Sequence, residues 1–176
     1  FLSKDCVIDL PGGVVMNHPV EFHPNNRLKP NLQSPWPWTE HKDGSKVDLS
    51  RVPPKSIRTY DQSYIKEIPE GWYAITNQEF GVGWGVVYPK EIFPYLWYWQ
   101  SMGGGYGYPW YGRTYNIGLE PFTSYGNEGL ASAIENGTAL ELEPGQQIEA
   151  SLKAVVYTGT QRVQRIKTDG SVDRQS

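Results

Sequence analysis

The sequence predicts an all-β protein built mainly from antiparallel strands. Its 176 residues include 19 glycines and 14 prolines, and turn residues at this density interrupt the chain too often for a helical bundle. Apolar residues alternate with polar ones over short stretches, whereas no segment keeps a helical repeat for the length of an ordinary helix. The length fits one domain.

Several stretches have the β-branched and aromatic composition of strands and are bounded by turn residues. In chain order they are residues 6–10, 14–16, 57–68, 72–76, 83–88, 93–99 and 115–119. Short helical turns are predicted at 90–93 and 129–136. Two proline-rich connections, 25–54 and 103–112, are predicted to be functional loops, because structureless loops as long as the first are uncommon in compact domains.

The end of the chain carries the clearest hairpin pattern. Residues 138–143 alternate, Pro144-Gly145 makes a turn, and residues 148–157 alternate again, so one face of this pair is expected to be buried. The following residues are polar and charged. We therefore predict a domain over residues 1–160 and a polar tail over 161–176, either frayed or a strand that needs a partner.

Composition and charge exclude several classes of protein. The net charge of −3, from 16 basic and 19 acidic residues, argues against a sequence-independent nucleic-acid binder. The chain has no apolar run long enough for a membrane span, and a single cysteine, Cys6, cannot form an internal disulfide. The lone cysteine and the lack of a signal-peptide pattern favour the cytoplasm. Because strand-like sequence begins within five residues of Phe1, we also expect the chain to be part of a larger domain.

Motifs for metal, nucleophile or phosphate chemistry are weak or missing. His18 and His23 lack a cysteine partner and a third nearby histidine, which argues against a metal site. The sequence has neither a Gly-x-Ser-x-Gly nucleophile turn nor a phosphate-binding glycine loop that opens a helix. No metal and no cofactor are predicted.

Glu120 and a cluster of aromatic residues are the features that suggest a site. Glu120 follows an apolar strand and precedes Pro121, so it is either an ordinary exposed glutamate or a carboxylate beside an aromatic wall. In the second case, desolvation would raise its pKa and make it a general base near neutral pH. Trp97 and Trp110 belong to the aromatic cluster, whose rings are either core or a platform on which a sugar stacks.

Four segments, in this order, resemble the C-terminal half of the aldose 1-epimerase (galactose mutarotase-like) proteins. They are Asn-His-Pro-Val-Glu-Phe at 17–22, Tyr-Asp-Gln-Ser-Tyr at 60–64, Ile-Gly-Leu-Glu-Pro-Phe-Thr-Ser at 117–124 and Leu-Glu-Pro-Gly-Gln at 142–146. The match spans roughly residues 8–157, and the His-Pro pair fits a divergent branch of the family.

The resemblance implies a β-supersandwich enzyme that interconverts the α and β anomers of a free sugar without a cofactor. It implies that Glu120 is the base, that His18 is the acid and that Asp61 binds sugar hydroxyls. Family members are longer, and their N-terminal half supplies a substrate-binding arginine and a second histidine. That half is therefore an expected partner of this chain, together with a monosaccharide substrate, whereas nucleic acid and membrane are not expected.

Two other functions are compatible with the sequence. A noncatalytic carbohydrate-binding β-sandwich would use the tryptophan- and tyrosine-rich segment from Trp97 to Tyr111 as its platform. A purely structural β domain would use the same rings as core. The identity of the sugar is left open by the sequence.

Overall fold

Two antiparallel sheets form the body of the protein in the computed structural model, which describes residues 1–175. The all-β class predicted from the sequence is confirmed, with one short helix among the described residues. The elements are β1 (Cys6–Asp9), β2 (Val14–Asn17), β3 (Gln33–Pro35), β4 (Trp38–Glu40), β5 (Lys46–Asp48), β6 (Tyr60–Lys66), β7 (Trp72–Asn77), β8 (Val82–Val87), β9 (Tyr95–Met102), β10 (Tyr115–Phe122), α1 (Leu130–Glu135), β11 (Lys153–Thr158), β12 (Val163–Ile166) and β13 (Val172–Arg174), with a 3₁₀ turn at Lys55–Ile57.

The larger sheet has five strands in the order β10-β9-β6-β2-β3, and the smaller has four in the order β1-β7-β8-β11. One face of each sheet packs against the other. Ile8 and Ile75 from the four-stranded sheet and Val15, Ile65 and Leu96 from the five-stranded sheet belong to one buried cluster. Burial of each such side chain contributes about 1.5–3 kcal/mol, so the facing surfaces hold the sheets together.

Strand periodicity explains why both sheets have two distinct faces. Successive side chains point to opposite sides, so every second residue of β6 and β9 points away from the core. On β9, Leu96 and Tyr98 are buried in the core, whereas Trp97 and Trp99, which alternate with them, are only half-buried. The outer face of the five-stranded sheet is therefore aromatic.

The C-terminal residues form an ordered hairpin, so of the two alternatives predicted for this segment the structure has the paired strand and not the frayed tail. Strands β12 and β13 pair with each other, and Val163 and Ile166 pack on Trp72 from the outer face of the four-stranded sheet. The Arg162 guanidinium also forms an ion pair of 2.6 Å with Asp9. Tertiary packing against a second apolar cluster outweighs the polar composition of this segment.

The hairpin predicted for residues 138–157 is absent from the structure. Residues 138–152 are irregular and mostly exposed, and only Lys153–Thr158 is a strand, paired with β8. The alternation predicted a buried face, but the described residues provide no sheet opposite this segment, and Leu142 and Val156 remain exposed. The helix predicted near 129–136 is confirmed as α1, whereas 90–93 forms a turn.

None of the helices formed by residues 1–175 has both the length and the apolar character required to span a bilayer.

Candidate functional site

The outer face of the five-stranded sheet gathers three of the residues predicted to form the site. In the strand register Glu120 of β10 lies opposite Trp97 of β9, which in turn lies opposite Tyr64 of β6. Residues directly opposite each other share a face of the sheet. His18 follows β2, and its backbone N–H donates to Gln62 O at 3.2 Å, two residues along β6 from Tyr64. We call this surface the aromatic face.

The rings of the aromatic face hold one another in place. Trp97 stacks on Phe122 with ring centroids 3.9 Å apart and contacts Tyr64 edge-on at 5.4 Å. The indole N–H of Trp97 donates to Ser124 O at 2.7 Å. These contacts fix the orientation of the Trp97 ring before any ligand binds, and Phe122 covers one of its two faces.

Trp110 extends this surface at one end. It lies in the loop that follows β9, and its ring is 5.2 Å from that of Trp99. Trp99 contacts Tyr60 edge-on at 5.7 Å. Trp97 and Trp110 are therefore on one continuous aromatic surface, although they do not stack on each other.

Glu120 is a carboxylate without a protein partner among residues 1–175. It lies on the edge strand β10 and makes neither a hydrogen bond nor an ion pair with a described residue. Desolvation by burial raises the pKa of its carboxyl above the ordinary value. Gly118 leaves the space that this side chain occupies, because a Cβ at position 118 would collide with the Glu120 carboxylate. A desolvated, unpaired carboxylate of this kind can accept a proton.

His18 is enclosed by acceptor oxygens. Its side chain is 3% exposed, and Nδ1 lies 2.9 Å from Val20 O, while Nε2 lies 2.8 Å from Asn127 Oδ1 and 3.2 Å from Glu128 Oε1. The ring of Phe22 covers it at 4.7 Å. The carboxylate beside His18 is therefore Glu128. Sequence reasoning missed this residue because it lies in a loop outside every recognisable motif.

The predicted acid and base share a face but do not touch. Three strand spacings separate β10 from β2, which is about 14 Å across the sheet. Trp97 and Tyr64 occupy the two strands between them. A ligand in contact with both Glu120 and His18 would have to lie over these two rings.

Asp61 lies on the opposite face of the sheet from Glu120, Trp97 and His18. It is 1% exposed, and its Oδ2 accepts from Arg27 Nε at 2.7 Å while Oδ1 accepts from the Arg27 backbone N–H at 2.8 Å. Gln100, which is opposite Asp61 on β9, accepts from the same guanidinium at 3.0 Å. Asp61 is thus a buried ion-pair partner on the core side, and the structure does not bring it to the aromatic face.

No group of three or more histidine, cysteine, aspartate or glutamate side chains within residues 1–175 is arranged to hold a metal ion.

Comparison with known proteins adds no relative. No family model matches the chain, and no match is found among curated proteins or among solved structures. The resemblance to the aldose 1-epimerase proteins stays a prediction that rests on the four sequence segments alone.

Proposed function

We propose that this protein is an aldose 1-epimerase-like isomerase that interconverts the anomers of a free sugar bound on the aromatic face. The observation that carries the proposal is the unpaired carboxylate of Glu120, a residue that pairs with Trp97 in the strand register. Burial raises the pKa of this carboxyl. In this proposal the two-sheet body corresponds to the C-terminal half of a mutarotase-type supersandwich. The preceding half would supply further contacts to the sugar.

The reaction needs one base and one acid on either side of the hemiacetal. Glu120 takes the proton from the C1 hydroxyl, the bond between C1 and the ring oxygen breaks, and His18 gives a proton to that oxygen. Rotation about C1–C2 and closure with the roles reversed give the other anomer. The Trp97 ring orients the sugar by contact with its C–H groups, which keeps C1 near Glu120.

For His18 to act as the acid, the loop after β10 must release the ring of this histidine. Asn127 and Glu128 cover Nε2 of His18, so these two residues must exchange their contacts with His18 for contacts with the sugar. Asp61 is left out of the proposed sugar contacts, because it is buried on the core side and satisfied by Arg27.

A noncatalytic carbohydrate-binding module is the second candidate. The enclosure of His18 and its separation from Glu120 favour this function, since binding on stacked rings needs neither group. Trp97, Trp99 and Trp110 would then be the main contacts.

Proton NMR distinguishes the two candidates in one sample. Saturation transfer between the anomeric protons of D-galactose and of D-glucose measures anomer exchange, and ligand line broadening measures binding. The isomerase requires that exchange is accelerated by the wild type and falls at least about a hundredfold in Glu120→Gln, the usual contribution of a general base. Glu91→Gln removes an exposed carboxylate from a turn and serves as the matched control.

The outcomes separate the candidates. Binding without accelerated exchange, lost in Trp97→Ala, would favour the module. Accelerated exchange that persists in Glu120→Gln would remove Glu120 from the role of base. Absence of both binding and exchange would reject both functions for this chain.

A further inference from the structure

A concave site lies on the outer face of the five-stranded sheet, on the side away from Glu120. It has a volume of about 380 Å³ between the β2–β3 side of the sheet and helix α1. Its lining includes polar side chains from three parts of the chain: Asn31, Gln33, Tyr64, Glu128, Ser132 and Asn136. This volume is at the lower end of the range for small-molecule pockets.

The hydroxyl of Tyr64 is the least satisfied polar group of this pocket. Tyr64 is 1% exposed, yet its hydroxyl has no hydrogen-bond partner of good geometry among residues 1–175. Burial raises the pKa of Tyr64, the charge of Glu128 adds to the rise, and the backbone N–H of Asn127 opposes it. The hydroxyl therefore faces the Asn127–Glu128 side, where Glu128 lines the pocket. A buried hydroxyl without a partner is unfavourable, and because its oxygen has almost no exposed surface, a ligand hydroxyl reaches it only where the Asn127–Glu128 segment gives way.

The other lining groups define the chemistry of the ligand. The side chains of Asn31, Gln33 and Ser132 make no hydrogen bond with a described residue, so amide and hydroxyl groups are available as donors and acceptors. The lining contains one carboxylate, Glu128, and no lysine or arginine, which disfavours an anionic ligand. Tyr125 adds an aromatic ring 5.8 Å from that of Tyr64. Amides, hydroxyls, one carboxylate and aromatic rings together suit a neutral polyhydroxylated ring.

We propose that this pocket binds one neutral monosaccharide unit, which hydrogen-bonds the Tyr64 hydroxyl and the Glu128 carboxylate. The proposal rests on the proposed function for the class of ligand, and it deepens that function by placing a sugar on the His18 side of the sheet. Glu128 contacts both the pocket and Nε2 of His18, so a sugar bound here competes directly for one of the contacts that enclose the histidine. Tyr64 lies between the sugar bound in this pocket and the part of the aromatic face that carries Glu120.

The test uses methyl β-D-galactopyranoside and methyl α-D-glucopyranoside, which are locked anomers and report binding alone. Their affinities are measured by NMR titration of the isotope-labelled protein. Tyr64→Phe removes only the unpaired hydroxyl and is expected to keep the fold, while weakening binding about three- to tenfold. Ser132→Leu fills the pocket from helix α1 and is expected to abolish the ligand-induced shifts of the residues that line it. Glu91→Gln removes an exposed carboxylate from a turn that does not line the pocket, and it is expected to leave the affinity unchanged.

The results distinguish failure of this inference from failure of the proposed function. Binding of a methyl glycoside that depends on Tyr64 and Ser132, without anomer exchange of the free sugar, supports the pocket and rejects the isomerase. Exchange at the wild-type rate in Ser132→Leu, with glycoside affinity also unchanged, overturns the pocket and leaves the isomerase standing. Absence of glycoside binding to the wild type overturns the pocket, and the exchange assay then decides the isomerase by itself.

Discussion

Replacement of Asp61 by asparagine is expected to destabilise the protein while leaving any sugar contact untouched. The substitution keeps the size of the side chain but removes the negative charge beside Arg27, whose side chain is only 16% exposed. It also turns an acceptor of two Arg27 N–H groups into a group with a single acceptor oxygen. A charge left buried and unpaired in this way typically costs 3–5 kcal/mol, and the residual exposure of Arg27 favours the lower end, about 3 kcal/mol.

Thermal unfolding followed by circular dichroism measures this loss. For a chain of this length, about 3 kcal/mol lowers Tm by about 6–12 °C. Asp5→Asn is the control, because Asp5 pairs with Lys4 at the surface, where solvent screens the ion pair and its loss changes stability little. In a double-variant cycle, Arg27→Gln combined with Asp61→Asn is expected to cost less than the sum of the single changes, since both buried charges are then gone.

One result would refute the reasoning. If Asp61→Asn keeps the wild-type Tm and loses sugar binding, Asp61 faces the ligand, as the family resemblance implies, and the register that puts it on the core side is wrong.

Two other predictions follow from burial. Burial raises the pKa of the Glu120 carboxyl above its ordinary value of 4.5, and a base works only when it is deprotonated. The anomer-exchange rate is therefore expected to fall as the pH decreases, with a midpoint above pH 4.5. A midpoint at or below that value in a pH–rate profile would contradict the desolvated site. Ile166 is 2% exposed on the buried side of the C-terminal hairpin, so Ile166→Ala is expected to lower the free energy of unfolding by about 2–4 kcal/mol, measured with denaturant. Gln164 faces outward, and Gln164→Ala is expected to change that free energy little. Equal stability of the two variants would mean that the hairpin does not pack on Trp72.

The local sequence pattern was sufficient to predict most of the strands, because strand composition and turn boundaries depend on consecutive residues. Residues 72–76 and 115–119 lie within β7 and β10 for this reason. The same pattern gave a wrong prediction at 138–143, where apolar and polar residues also alternate but no core lies opposite them within the described residues. Alternation fixes which residues share a face, whereas the buried face depends on the rest of the fold.

The candidate site was predictable only in part for the same reason. Glu120 and Trp97 lie on neighbouring strands, and their being opposite each other depends on a register that no short motif encodes. Asp61 and Gln62 are adjacent in sequence, yet one faces the core and the other the aromatic face. The partner of Asp61 is 34 residues away in a proline-rich segment, and Glu128 reaches His18 across 110 residues of sequence.

The buried face of β6 nevertheless connects Asp61 to the site. The carboxylate accepts from the backbone N–H of Arg27, so it fixes the course of the segment that leads away from His18. Farther along, Asn31 N–H donates to His18 O at 3.1 Å, while Asn17, the residue before His18, is held by Ser63 and Thr39 in the core. These contacts tie the backbone on both sides of the histidine to the core face of the sheet. Asp61 can therefore matter to a reaction on the aromatic face by positioning His18, which means that loss of activity in Asp61→Asn, accompanied by loss of stability, is not a sign of a sugar contact.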